Sequence, residues 1–452
     1  MKIIVVGCGN VGSMLARTLS AEGHNITVID SNSITVKELS NELDIMAITG
    51  NGSTLEVLQN AGTESADLLI AVTDSDERNL LCCLIAKKCG TKNTIARVRN
   101  PEYKNEIEFI KNDLGLSLSV NPELFAADEI ARLVKFPTAI EIDAFAGGKV
   151  ELLKFEVSKD SPICGLILKN LKKDLNSEVL ICIVERGNET LIPTGDFTLL
   201  EGDKVSFIAS GKKAVEFFKA IKMSQGKIRA VIIVGGGETS FYLAKKLLAS
   251  GVQVKIIEKD KKRCEELADV LSDAVIINGD GADKGLLGEE GLDRADAFVS
   301  LSNHDEENIM MSIYAKKVNP RIKIITKVHR NAYDEIINDL NIGSIINPKL
   351  LAAENIIKYV RAMSNTGDSN METLYRLNDG RAEAMEFTVR ETSDLVDRPL
   401  SELKLKKNVI VASIVRKGQI ETPKGSSVIK VGDKVIIVTT NTGFDDIKDI
   451  LA

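Results

Sequence analysis

Most of this chain occurs twice, and that duplication limits the folds open to it. "KIIVVGCGN", starting at Lys2, returns as "AVIIVGGGE" at Ala230, so that Gly7, Gly9 and Asp30 correspond to Gly235, Gly237 and Glu258, a shift of 228 residues. "ADLLIAVTDSDERN" from Ala66 returns as "ADAFVSLSNHDEEN" from Ala295, and "VNPELFAA" from Val120 as "INPKLLAA" from Ile346. Near the end of each half, Pro193, Gly195 and "GDKV" from Gly202 reappear as Pro423, Gly425 and "GDKV" from Gly432. A repeat this long means that one architectural unit has been used twice.

Each half divides in turn. Its first part alternates apolar runs with helical stretches, the βαβ pattern that demands a parallel sheet. These parts span roughly 1–136 and 227–362. The smaller parts, roughly 140–222 and 371–452, carry short β-branched runs such as "VLICIVER" and "VIVASIVRKG". The fold class expected is therefore α/β: a tandem repeat of a Rossmann-like, doubly wound parallel-sheet domain followed by a small β-rich α/β domain. Linkers are expected at "MSQGK" and, on its turn chemistry, at "SNTGDSN".

The glycines of the first half point to a ligand. Ile3–Val6 form a short, wholly apolar run, which reads as a buried strand. Gly7, Gly9 and Gly12 then give G-x-G-x-x-G within the loop Gly7, Cys8, Gly9, Asn10, Val11 and Gly12. Gly7 suits a tight strand-to-helix turn, Gly9 a close approach to a pyrophosphate and Gly12 close helix packing, with phosphate at the N-terminus of a helix over Asn10–Ala21. The run "NITVID" ends in Asp30, an acid placed to accept hydrogen bonds from ribose hydroxyls and to disfavour a 2′-phosphate.

Residues just after the later strands complete the candidate site, because strand C-termini face the crevice of such a sheet. Asn51 and Gly52, beside Gly50, are placed to approach an adenosine; they read equally as a turn before an N-cap at Ser53. Thr73 and Asp74 follow the fourth strand, near the phosphates or the second ribose, with Asp74 also readable as an N-cap. Arg97 and Arg99 end the fifth strand, their i, i+2 spacing pointing both side chains to one face, where two guanidinium groups suit a polyphosphate or a neighbouring subunit's ligand; the alternative is a pair of solvated surface cations.

The second copy, with Gly235, Gly236, Gly237, Glu238, Thr239, Glu258 and Asp280, is the weaker candidate. Ser240 replaces Gly12, Lys327 replaces Arg97, and Glu238 replaces Asn10, where its carboxylate suits the helix dipole but competes with a ligand phosphate.

Composition excludes other classes. A formal charge of −7 argues against a nucleic-acid partner, and lysines such as those of "LKNLKKDL" read as a solvated helix face. Seven cysteines without C-x-x-C spacing and three scattered histidines suggest neither a disulfide framework nor a metal site; Cys82, Cys83 and Cys89 read as buried thiols. No apolar run reaches membrane-span length and no signal peptide is evident, which places the chain in the cytosol. A dehydrogenase would need a proton donor or acceptor facing a nicotinamide, and His24, His304 and His329 are poorly placed for it, so catalytic residues are not assigned.

In combination, "GCGNVG", "ITGNGS", "AVTDSDERN", "IARVRNPEY" and the closing "EGDKV" resemble the TrkA family, over essentially the whole chain. That resemblance implies tandem RCK-type N- and C-domains in a peripheral regulatory subunit of Trk potassium uptake, binding NAD or NADH and, alternatively, ATP or ADP. It implies a ring, of four copies, docked on the cytosolic face of an integral membrane potassium-translocating subunit. An NAD-dependent oxidoreductase and a nucleotide sensor for another partner are the alternatives. The helices "NPELFAADEIARLV" and "NPKLLAAENIIKYV" are candidate docking faces, or pack within their own domain.

Overall fold

The computed structural model describes residues 1–101, 103–223, 226–329, 343–364, 371–378, 380–391, 393–444 and 446–452. Ser224 and Gln225 of the expected linker "MSQGK", and residues 365–370 of "SNTGDSN", lie outside the described residues. The chain forms two compact units, each discontinuous: residues 1–131 with 229–357, and 132–228 with 358–452.

The first unit holds two six-stranded sheets. One comprises β1 (Lys2–Val6), β2 (Asn25–Asp30), β3 (Met46–Thr49), β4 (Leu68–Ala71), β5 (Asn93–Arg97) and β6 (Leu118–Val120), with helices α1 (Asn10–Ala21), α2 (Ser33–Glu42), α3 (Leu55–Asn60), α4 (Asp76–Cys89), α5 (Tyr103–Ile110) and α6 (Pro122–Lys135) between and after them. Its spatial order, β3-β2-β1-β4-β5-β6, is the Rossmann order, with all pairs parallel. Order reverses between β1 and β4, which opens a crevice beyond their C-terminal ends. The strands are apolar on both faces because helices cover both: Ile3, Ile4, Val5 and Val6 are all buried.

The small module that follows in sequence, in the second unit, is antiparallel. Its β7 (Glu141–Phe145), β8 (Val150–Glu156), β9 (Leu180–Arg186), β10 (Glu189–Leu191) and β11 (Lys204–Ala209) order as β10-β9-β11-β8-β7, beside α7 (Leu171–Leu175) and α8 (Gly211–Ala220). Phe155, Phe207, Phe217 and Phe218 pack edge-on or tilted between β8, β11 and α8. Lys172 and Lys173 of α7 are exposed, as a solvated face requires.

The second copy repeats both designs. In the first unit β12 (Ala230–Val234), β13 (Gln253–Glu258), β14 (Val275–Asn278), β15 (Ala297–Ser300), β16 (Lys323–Lys327) and β17 (Ser344–Ile346) form a sheet of the same parallel order, with α9 (Glu238–Ala249), α10 (Lys261–Val270), α11 (Lys284–Glu289), α12 (Asp305–Val318) and α13 (Pro348–Ser364). In the second unit β18 (Met371–Leu377), β19 (Ala382–Thr388), β20 (Val409–Arg416), β21 (Gln419–Glu421) and β22 (Lys434–Thr439) order as β18-β19-β22-β20-β21. The two small sheets share one core in which Leu152 and Cys182 of the first pack with Ala384, Ile436 and Val438 of the second.

The repeated "GDKV" has a structural reason. Asp203 is buried and takes both arms of the Arg186 guanidinium at 2.8 Å, while Asp433 takes those of Arg416 at 2.8 and 2.7 Å. Each carboxylate also accepts a backbone amide, from Leu200 or Lys430, so the motif staples the loop before its strand.

Candidate functional site

The glycine turn is held as its spacing requires. Gly7 has φ +98°, and a Cβ there would lie 2.9 Å from the Thr73 amide nitrogen, so the turn is pressed against the chain leaving β4. A Cβ on Gly12 would fall 1.8 Å from the Gly7 carbonyl oxygen. Gly9 differs: it is the N-cap of α1, a Cβ on it would meet no atom within 4 Å, and no described side chain caps the helix. The first turn of α1 also lacks an acidic residue, so its amide groups and positive dipole end face open space.

Asp30 closes the other side. Its Oδ2 accepts from the Cys8 amide at 2.6 Å and its Oδ1 from the Asn32 amide at 2.8 Å, tying the tip of β2 to the turn. Cys8 and Val11 are buried beneath, and burial pushes the Cys8 thiol up to about 12, so that sulfur is inert at neutral pH. Asn10 is exposed at the helix start.

Gly52 lies where a Cβ would strike Val6 at 2.2 Å, which places the third-strand loop against the end of β1. Asn51 turns its Oδ1 onto the Ser53 amide (3.1 Å) and hydroxyl (2.7 Å). The N-cap of α3 is Thr54, one residue later than the turn reading placed it. Asp74 is not a cap either: Ser75 accepts the Arg78 amide, and the exposed Asp74 carboxylate pairs with Arg78 at 2.8 Å.

Arg97 and Arg99 both reach the segment that leaves β4. An Nη2 of Arg97 donates to the Thr73 carbonyl and an Nη2 of Arg99 to the Asp74 carbonyl at 2.6 Å. Arg97 is no solvated surface cation, since burial and then the neighbouring Arg99 charge lower its pKa. Two residues that sequence reasoning missed organise this edge. Asn79, fully buried, accepts from the Thr73 amide at 2.8 Å and donates to the Arg97 carbonyl at 2.9 Å. Asp76 accepts the amides of Arg99 and Asn100, both at 2.9 Å. Asn308 and Asp305 do the same work in the second copy, on Ser302, Lys327 and His329; their retention within "DSDERN" and "NHDEEN" was the signal available.

The second cradle keeps the frame and changes the charge. Gly235 has φ +99°, Gly237 again has room for a Cβ, and Ser240 fits in place of Gly12 by donating its hydroxyl to the Gly235 carbonyl. Glu258 accepts from the Gly236 amide at 2.5 Å and from the Asp260 amide at 2.7 Å, the counterpart of Asp30. Asp280 pairs with Lys259 at 2.9 Å, Arg263 donates its Nε to the Gly236 carbonyl at 2.7 Å, and Thr239 is buried in the first turn of α9. Glu238 has a buried Oε2 with no partner among the described residues, and burial raises its pKa. Lys327 is 7% exposed, and burial lowers its pKa to about 8.

Among the described residues no cluster of three or more His, Cys, Asp or Glu side chains could hold a metal ion, and no helix is long and apolar enough to cross a membrane.

Two parallel-sheet units with glycine-turn cradles, alternating along the chain with antiparallel units, define a tandem RCK-type architecture. The chain matches the TrkA-N domain over residues 3–122 and 231–348 and the TrkA-C domain over 152–222 and 384–452. It is similar to the Trk system potassium uptake protein TrkA homolog of Archaeoglobus fulgidus, 35% identical with all of both chains covered. It is also similar to the Trk system potassium uptake protein TrkA of Vibrio alginolyticus, 31% identical over 98% of this chain and 96% of that one. Among solved structures, the GsuK channel shares the fold, with TM-score 0.63, 16% identity, and 97% of this chain and 76% of that chain covered. The GsuK channel bound to NAD gives TM-score 0.62 at 15% identity, with the same coverage. The chain belongs to the TrkA family, and is thus a regulatory, non-enzymatic component of Trk potassium uptake.

Proposed function

We propose that this protein gates a membrane potassium translocator by binding an adenine nucleotide in the first cradle, NAD or NADH foremost, with ATP and ADP competing for the same place. The observation that carries this reading is the pairing of an open, uncapped helix end at Gly9 with the Asp30 carboxylate across the turn. A pyrophosphate is complementary to the first and ribose hydroxyls to the second. Each Asp30 oxygen already holds one backbone amide and retains acceptor capacity for a hydroxyl. Arg97 and Arg99 would read phosphate number and charge beside Thr73 and Asp74, while Asn51 and Gly52 border the adenosine side.

The working domain boundaries are 1–136, 140–222, 227–362 and 371–452, with the two nucleotide-type domains sensing and the two small domains transmitting. The assembly that fits this role is a ring of four copies on the inner face of the membrane, held there through the translocator. Calorimetric titration of the full chain with NAD, NADH, ATP and ADP tests the ligand, and rubidium flux through the reconstituted translocator, with and without each nucleotide, tests the gating. Micromolar binding together with nucleotide-dependent flux supports the reading; flux indifferent to all four nucleotides overturns it.

A further inference from the structure

The helix that begins the second cradle carries a stripe that its counterpart lacks. Glu238, Tyr242 and Lys246 are spaced by four along α9 and so share one face. The equivalent positions on α1 are Asn10, Met14 and Thr18. The stripe of α9 lies against the first copy. Tyr242 is 7% exposed; its hydroxyl receives the Asn121 amide at 3.2 Å and approaches the Arg99 carbonyl oxygen at 3.5 Å, while Asn121 itself donates to that carbonyl at 3.0 Å. One turn on, Lys246 meets Asp128 of α6 at 2.6 Å.

One turn before Tyr242 stands Glu238, whose surroundings include Arg99, Glu123 and Asp76 of the first copy as well as Arg263 of its own. This junction concentrates buried charged groups that lack a hydrogen bond, Arg99 Nε and Asp76 Oδ1 facing each other only as an ion pair at 3.7 Å. Of the six buried side-chain atoms without a hydrogen-bond partner among the described residues, five are Asp76 Oδ1, Arg97 Nε, Arg99 Nε, Glu123 Oε2 and Glu238 Oε2. Groups in that condition are costly, and their balance changes when a charge enters nearby.

We propose that the Glu238–Tyr242–Lys246 stripe couples the two cradles antagonistically, so that an anionic nucleotide in the first weakens binding in the second. This rests on the reading of the cradles as nucleotide sites given above. A phosphate drawn to Arg99 takes from Glu238 a cation that offsets its charge, and adds negative charge on the same side. Glu238 then opposes phosphate at the N-terminus of α9 more strongly. Movement of the Arg99 backbone reaches α9 directly through Tyr242. Linkage makes the effect reciprocal between the sites.

The test uses the full chain and ADP as probe. Gly9→Leu fills the first cradle with neutral bulk, in a place where a Cβ is free of contacts, and Gly237→Leu does the same in the second, assigning each isotherm to its cradle. The expected result is that ADP binds the second cradle about fivefold more tightly in Gly9→Leu than in the unaltered protein. That ratio should fall towards one when Tyr242→Phe and Glu238→Gln are added, while Tyr242→Phe alone leaves first-cradle affinity unchanged. A ratio of one in the unaltered background, a ratio that survives both substitutions, or an absence of ADP from the second cradle alone overturns the coupling and leaves the first-cradle reading standing. Absence of NAD and ADP from both cradles instead removes the nucleotide reading itself.

Discussion

The carboxylate of Asp30 accepts the amide of Cys8 at 2.6 Å, so the residue proposed to hold a ribose also holds the glycine turn. Asp30→Asn replaces one accepting oxygen with an NH2 group that faces an amide. Two charge-assisted bonds are disturbed, and a stability loss of about 1 to 3 kcal/mol is expected together with at least tenfold weaker NAD binding. Urea unfolding and calorimetry on the same sample separate the two effects; loss of stability with unchanged affinity would leave Asp30 a purely structural residue.

Gly9→Asp makes the converse test, because the position has room for a side chain and its backbone carbonyl, which accepts the Ser13 amide at 2.8 Å, is kept by the change. The new carboxylate would stand at the positive end of α1. Nucleotide affinity at the first cradle should fall at least about tenfold, with melting temperature within about 2 °C of the parent. Retained affinity would mean that phosphate does not sit there.

The second cradle should bind NAD more tightly as pH falls. Lys327, with burial holding its pKa near 8, gains charge as pH drops from 9 to 7, and burial also raises the pKa of Glu238, which favours loss of its charge as pH falls. Both changes favour an anion, and the pyrophosphate of NAD keeps its charge throughout. In the Gly9→Leu background, Lys327→Gln and Glu238→Gln should each flatten the affinity profile. A profile rising with pH would reverse the assignment.

Lys323 offers a stability prediction away from both cradles. It is buried at the start of β16, with Nζ donating to the Ser344 hydroxyl at 3.1 Å, and burial lowers its pKa to about 7. Between pH 7 and the higher pKa of the unfolded chain, the unfolded state binds the extra proton, so stability rises with pH across that window. Lys323→Met should stabilise the protein at pH 7 by an amount on the order of 2 kcal/mol and reduce that rise. Urea midpoints at pH 7 and pH 9.5 decide it.

Arg99→Ala should reduce discrimination between ATP and ADP in controlling a reconstituted translocator while Asp30 and the glycine turn retain adenosine binding. Arg99 spans from the Asp74 carbonyl to within 3.7 Å of Asp76, at the edge where phosphates would end. Flux that still separates the two nucleotides fully would move the sensor elsewhere.

The glycine turn, the acid at the tip of the second strand and the duplication were legible because each is written in a few adjacent residues or a fixed offset. Asn79 and Asp76 were not read, since their bonds to Thr73, Arg97 and Arg99 exist only once β4, β5 and α4 are assembled. The burial of Arg97 and the link from Asn121 to Tyr242, 121 residues away, are likewise products of packing. The caps at Thr54 and Ser75 each fell one residue from the sequence reading, within the reach of local turn chemistry.

The first unit is made of residues 1–131 and 229–357, with the chain between them belonging elsewhere. During synthesis, the face bearing Asn121 and Asp128 therefore emerges long before α9 exists to cover it. At about 5–20 residues per second, that wait is on the order of ten seconds. Another nascent copy on the same message presents its own Tyr242 and Lys246 in that interval, so exchange of halves between copies competes with closure of each chain upon itself. The order in which this polypeptide leaves the ribosome thus bears on which copies end up sharing a junction.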